Sequence, residues 1–289
     1  MRLFVTLLTA FSLLNCSSST TPPTACFLPQ IEMQIPESLD GISGIDKKTF
    51  NSLIDRVEKI YAPIVASHGA TLKINRLWSN ATVNSNATQD GTTWIVNAYG
   101  GLARYPAINA DGELLVLCHE MGHHLGNFPK YPDADWAANE GQADYFANMK
   151  CFRRVVKDDD NITIVSKMMI PDLVKTNCAL AFKSAEEQAV CQRGAMAGKN
   201  LGLVLYELSR GGASSNAPDF GTPDTSQVST TNDNHPEAQC RLDTYFAGSI
   251  CGASYEIDFG LTDGVQGACS QEAHDKYGYR PRCWYKPKK

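Results

Sequence analysis

The chain has 289 residues, 43% hydrophobic and 20% charged, enough to bury a sizeable core as one large domain or one domain with an appendage. A formal net charge of -5 argues against a basic nucleic-acid surface, so no nucleic-acid partner is expected.

The first residues, MRLFVTLLTAFSLLNC, have the composition of an export signal, with Arg2 as the positive start and Phe4 to Leu14 as an apolar run. That run is too short for the roughly 20 apolar residues that span a bilayer. It ends in Leu13-Leu14-Asn15-Cys16, which resembles a bacterial lipobox. The resemblance implies acylation of Cys16 and a lipid anchor in the membrane. With Ser17 next, it points to an outer-membrane lipoprotein facing the periplasm; ordinary signal cleavage and secretion is the alternative.

Residues 17–45 read as a polar tether followed by irregular structure. Residues 46–66 carry Phe50, Leu53, Ile54, Val57, Ile60 and Tyr61 at helical spacing, with Asp46 as N-cap. Strands are expected over 71–77 and 92–99, the second bounded by Asp90-Gly91 and Gly100-Gly101. A helix over 112–125 is apolar nearly all round and therefore buried. Further helices are expected over 134–157, 162–181, 184–209 and 235–248. A polar loop fills 211–234, long enough to be either functional or disordered. The expected organisation is a signal over 1–16, the tether over 17–45, one domain over 46–250 and a cysteine-containing tail over 251–289, held by disulfides rather than by a core.

An exported chain with ten cysteines is expected to be disulfide-bonded. With Cys16 set aside for lipid, Cys118 beside His119 on a buried helix is the expected unpaired thiol. The other eight make four bridges, with Cys240–Cys251 and Cys269–Cys283 as local pairs. No CxxC spacing suggests a cysteine zinc site.

The chemistry-bearing stretch is CHEMGHHLG. On a helix His119 and His123 lie four apart on one face, so both rings can reach one ion. Glu120, at the rim of that face, can act on a water as general base without being a ligand. His124 is rotated about 100° from His123 and faces away. A third ligand is available downstream in WAANEGQADYFA, where Glu140 sits on a largely apolar helix. Asp144, four residues on, can accept a hydrogen bond from the second nitrogen of His119. A third histidine at HExxHxxGxxH spacing is excluded because that position is Pro129. The competing view, a helix with two surface histidines, fits poorly with the apolar LLVLC that precedes them.

Taken together, HEMGH at 119–123, Glu140 with Ala143-Asp144, and His235-Pro236 with Arg241 resemble the gluzincin metallopeptidases, in particular the HtpX/Oma-type, CAAX-prenyl-protease-like family. Asn97-Ala98-Tyr99-Gly100-Gly101 is similar to the segment that precedes the active-site helix in that family. The resemblance covers about 97–241; the cysteine content and the tail beyond Cys251 depart from it. It implies an α+β, zincin-like fold, mostly helical with a small sheet beside the active-site helix. It also implies one Zn2+ held by His119, His123 and Glu140, and hydrolysis of peptide or unfolded-protein substrates. His235 and Arg241 would stabilise an oxyanion or orient Glu140. The strand at 92–99 could receive an extended peptide at its edge. A non-catalytic envelope lipoprotein with a structural zinc site is the alternative function, and hydrolysis of a non-peptide bond is a third.

Overall fold

The computed structural model describes residues 25–29, 31–39, 44–209 and 216–287. The export-signal and Cys16 lipidation expectations fall outside these residues. Among the described residues no helix is long and apolar enough to cross a membrane.

Helix α1 (Lys47–Ser67) starts where expected, with the Asp46 carboxylate accepting from the Thr49 amide at 2.7 Å. Its apolar stripe, including Phe50, Ile54 and Tyr61, is buried. The sheet contains β1 (Ala25–Cys26), β2 (Thr71–Leu77), β3 (Ser85–Asp90) and β4 (Thr93–Tyr99), in the order β1-β3-β4-β2. β2 runs parallel to β4, and β3 and β4 form a hairpin turned at Gly91, whose φ of 57° suits glycine. β3 reads SNATQD and carries no hydrophobic alternation, so the sequence offered no strand signal. Its Asn86 instead joins a cross-strand chain in which Asn75 donates to Asn97, Asn97 to Asn86 and Asn86 to Tyr99, at 2.7, 2.8 and 2.8 Å. β4 lies between β2 and β3 with both ladders filled, so it offers no free edge to a peptide, contrary to expectation.

After the short α2 (Gly100–Ala103) comes α3 (Ala110–Leu125), the centre of the molecule. Asn109 caps it through the Gly112 amide at 2.8 Å, and Asp111 and Glu113 occupy its positive first turn. α3 is buried along nearly its full length. A hairpin of β5 (Lys130–Tyr131) and β6 (Ala134–Ala138) follows, where the sequence suggested helix from 134. The helix begins only at α4 (Glu140–Phe146), because Asn139 is an extended N-cap that accepts from the Gln142 amide. The run continues through a π-helical turn (Ala147–Phe152) into α5 (Arg153–Val156).

The expected helix over 162–181 is two, α6 (Asn161–Ser166) and α7 (Asp172–Ala181), with Pro171, which lacks an amide donor for a helix interior, as the N-cap of the second. α8 (Ala185–Leu208) matches expectation. α9 (Ala238–Ile250) starts after Pro236, since the residue before a proline avoids helical geometry. α3 packs against α1, α4, α8, β3 and β6. Gly122 permits the close approach of α4: a Cβ there would stand 2.8 Å from the Ala143 backbone.

Four disulfides join described residues: Cys118–Cys151, Cys178–Cys191, Cys240–Cys283 and Cys251–Cys269. Cys26 is disulfide-bonded as well. Cys118 is therefore not a free thiol; one residue before His119, it points about 100° away from the ligand face, toward the π-helical turn. Neither expected local pair forms: Cys240, in the first turn of α9, and Cys251, just past its end, are separated by a helical rise of roughly 16 Å, beyond disulfide reach, and Cys269 and Cys283 pair with Cys251 and Cys240. The tail is core, not appendage: Phe259, Ala268 and Cys269 belong to the main hydrophobic cluster, and Trp284 is fully buried. Trp284 lies flat over Gly141, where any Cβ would stand 2.2 Å from its ring. We expect Trp284→Ala to cost about 3–5 kcal/mol, read as a lower urea midpoint; a loss under about 1 kcal/mol would leave the tail outside the core.

Candidate metal centre

His119 and His123 project from one face of α3 with their rings at 89° and their Nε2 atoms 3.1 Å apart. Each Nδ1 is already committed. That of His119 donates to Asp144 Oδ1 at 2.8 Å, and that of His123 donates to the Ala138 carbonyl at 2.8 Å. Both Nε2 atoms are thereby left as acceptors, lone pair facing lone pair. Glu140, the first residue of α4, brings Oε2 to 3.3 Å from His119 Nε2 and Oε1 to 3.6 Å from His123 Nε2. Tyr131 donates to Oε1 at 2.7 Å, while Oε2 is buried without a hydrogen-bond partner.

Three donor atoms converging within 4.8 Å, two of them in mutual conflict and one carboxylate oxygen unsatisfied, fit a divalent cation. His119, His123 and Glu140 are all fully buried, where such conflicts are expensive. Without an ion, a proton must do the cation's work. Burial opposes charge on His119, but the hydrogen bond and charge of Asp144, followed by those of Glu140, outweigh it and raise the ring to about 9. Burial lowers His123 to about 4. Burial also opposes charge on Glu140, yet His235, His123 and His119 hold its carboxyl well below the ordinary range.

Asp144 is the anchor of the arrangement. Besides His119 it accepts two bonds from Arg241, Nε to Oδ2 and Nη2 to Oδ1, both at 2.7 Å, and one from Tyr245 at 2.5 Å. Arg241 is buried and its Nη2 stands 3.9 Å from Glu140 Oε2, so its first task is to orient Asp144. Its Nη1 donates to the Phe27 carbonyl at 2.7 Å. His235 sits at the rim, its side chain 26% exposed, with Nε2 3.5 Å from Glu140 Oε2. That Nε2 donates to the Cys26 carbonyl at 2.7 Å. The polar 216–237 segment places it. Asn139 donates to Asp233 at 2.8 Å, and the Asn232 amide donates to the Trp284 carbonyl at 2.8 Å.

Glu120 is fully buried with neither carboxylate oxygen hydrogen-bonded. The neighbouring Ser85 hydroxyl donates instead to the Asn97 carbonyl at 3.1 Å. Burial raises the Glu120 carboxyl to about 8, against the pull of His119. His124 points away, stacked on Trp94 with ring planes 5° apart and ring centroids at 5.3 Å. Sequence reasoning missed Tyr131, Tyr245 and Phe27. Tyr245 was findable, four residues after Arg241 on one helical face; Tyr131 and Phe27 carry no motif.

Two outcomes follow from this geometry. Metal binding at pH 7 should release at least one proton per ion, because the proton on His119 must leave first. Apparent affinity should then fall about tenfold per pH unit as pH drops below about 9. Titration calorimetry in buffers of different ionisation enthalpy measures this, and binding without proton release would show that His119 is already neutral in the empty site. Gly122→Ala should push α3 from α4 and weaken metal binding by about 10–100-fold, as disturbed ligand orientation does; unchanged affinity would show that the close approach is dispensable.

Comparisons with protein-family models, with curated proteins and with solved structures find no match to this chain.

Proposed function

We propose that the protein is a zinc-dependent endopeptidase of gluzincin type, with His119, His123 and Glu140 as ligands and Glu120 as general base. The observation that carries this is the Glu120 carboxylate, buried beside the ligand cluster with both oxygens unpartnered. A buried carboxyl group without partners is costly, and burial keeps this one protonated at neutral pH until a cation beside it favours its ionised form. A purely structural metal site has no use for one, whereas a site that must take a proton from water does. A donor set of two imidazole nitrogens and one carboxylate oxygen is one that catalytic zinc takes, and three protein ligands leave room for catalysis. Zinc held there supplies a Lewis acid that polarises a carbonyl and acidifies water toward about pH 7.

The chain's own residues do the rest. Glu120 removes a proton from the attacking water and returns it to the leaving amine. His235 Nε2, which already holds a peptide carbonyl at 2.7 Å, is suited to receive the oxyanion. Arg241 and Tyr245 hold Asp144, and Asp144 fixes the tautomer of His119. The disulfides support an oxidising compartment, in keeping with the cell envelope or the extracellular medium.

A second reading, a structural zinc centre in a non-catalytic envelope protein, draws on the complete burial of the three ligands. Glu120→Gln separates the two. On the peptidase reading the variant keeps its zinc and loses about 10²–10⁴-fold in cleavage of an unfolded protein such as casein. Zinc-loaded wild type with no turnover, or a variant as fast as wild type, would remove the assignment.

A further inference from the structure

The free edge beside the metal cluster belongs to β3, and the chain itself fills it. Ala25 and Cys26 pair antiparallel with Ala87 and Asn86. The Phe27 amide donates to the Ser85 carbonyl at 3.1 Å. Asn84 then closes on Leu28 from both sides, accepting its amide at 3.0 Å and donating to its carbonyl at 3.2 Å. Residues 25–26 thus pair as a strand with 86–87, and residues 27–28 continue through a bend held to 84–85, which brings Phe27 against His119. Two successive carbonyls of this strand are held by site residues, Cys26 by His235 and Phe27 by Arg241. The Phe27 ring meets the His119 ring edge-on at 5.3 Å and lies under the Arg241 guanidinium at 4.8 Å.

Next to it is a cavity of about 250 Å³, with Tyr131, Glu140 and His235 on one wall and Ala25, Cys26 and Leu28 on the other. The segment therefore shares this opening with Glu140 and His235, and its Phe27 covers His119. We propose that residues 25–28 occupy the lane of an extended peptide substrate, and that they must lift from β3 before a substrate can bind. This rests on the peptidase assignment for what happens after entry, but not for the lifting itself.

The chemistry of the strand also defines what would replace it. A main chain able to pair with 84–87 recovers the backbone hydrogen bonds. An aromatic residue followed by a bulky aliphatic one recovers the burial of Phe27 and Leu28, which are 0% and 2% exposed. The favoured substrate is thus an extended or unfolded segment containing Phe-Leu or its like. The device is suited to opening, because the regular ladder of β1 is only two residues long and Pro29 follows Leu28, removing the next amide donor.

The test uses the zinc-loaded full chain and a peptide hydroxamate carrying Phe-Leu. Asn84→Ala removes the clamp on Leu28 without touching any catalytic group. It should bind the hydroxamate at least about tenfold faster than wild type, with unchanged zinc content, as expected when a local opening is made easier. Native-state hydrogen exchange on wild type needs no variant. The Phe27 and Leu28 amides should exchange at least about tenfold faster than the β3–β4 amides, through local opening. Equal protection of the two sets, or equal hydroxamate association in variant and wild type, would overturn the proposal. Faster association with no cleavage of a peptide library by either form would keep the moving strand and discard the peptidase. Cleavage at equal rates by both forms, with equal protection of the two amide sets, would do the reverse.

Discussion

Two imidazole nitrogens face each other at 3.1 Å with nothing to donate between them unless a proton or an ion is added, and most of the buried polar structure exists to keep them so. In water the rings would turn apart. Here Asp144 and the Ala138 carbonyl hold the far nitrogens as donors, and burial leaves no solvent to absorb the repulsion. The conflict is relieved only by positive charge, as a proton or a metal ion. The strength of the site lies in how well this frustration is maintained, because every relaxed geometry open to the empty site is one the ion must undo.

The supports radiate outward in layers. Arg241 and Tyr245 hold Asp144, and Arg241 is itself tied to the Phe27 carbonyl. Burying a guanidinium and two carboxylates is tolerable because Arg241 together with the positive charge at the imidazoles, proton or ion, offsets Asp144 and Glu140 within one network. Farther out, Gln142 on α4 donates to the Gly126 carbonyl at the end of α3 and accepts from Arg280 of the tail. The tail thus reaches the ligand helices through a polar relay as well as through Trp284. The segment that looked like an appendage is a brace for α4.

The clustering of His119 and His123 was legible because helical spacing converts sequence into direction: residues four apart share a face whatever surrounds them. The same rule placed Asp144 opposite His119. Capping chemistry located α1 through Asp46, but Asn139, an equally good cap, went unread, so β6 was taken for helix. What resisted reading was what depends on the partner rather than the segment. β3 is polar by composition and a strand only because β4 and β1 accept it. Disulfide pairing follows distances in space, which is why the neighbours in sequence, Cys240 and Cys251, are the ones that cannot meet. Phe27, from a stretch read as irregular, reaches His119 only through the sheet register.

The Cys118–Cys151 bridge ties α3, one residue before His119, to the helical run that carries Glu140 and Asp144. In small zinc domains the ion itself is the crosslink, and folding waits for it. Here the crosslink is covalent and the core is apolar, so the cradle can be assembled before any ion arrives. A cradle of this kind keeps its shape whether or not an ion is bound, so removing an ion would leave the fold in place.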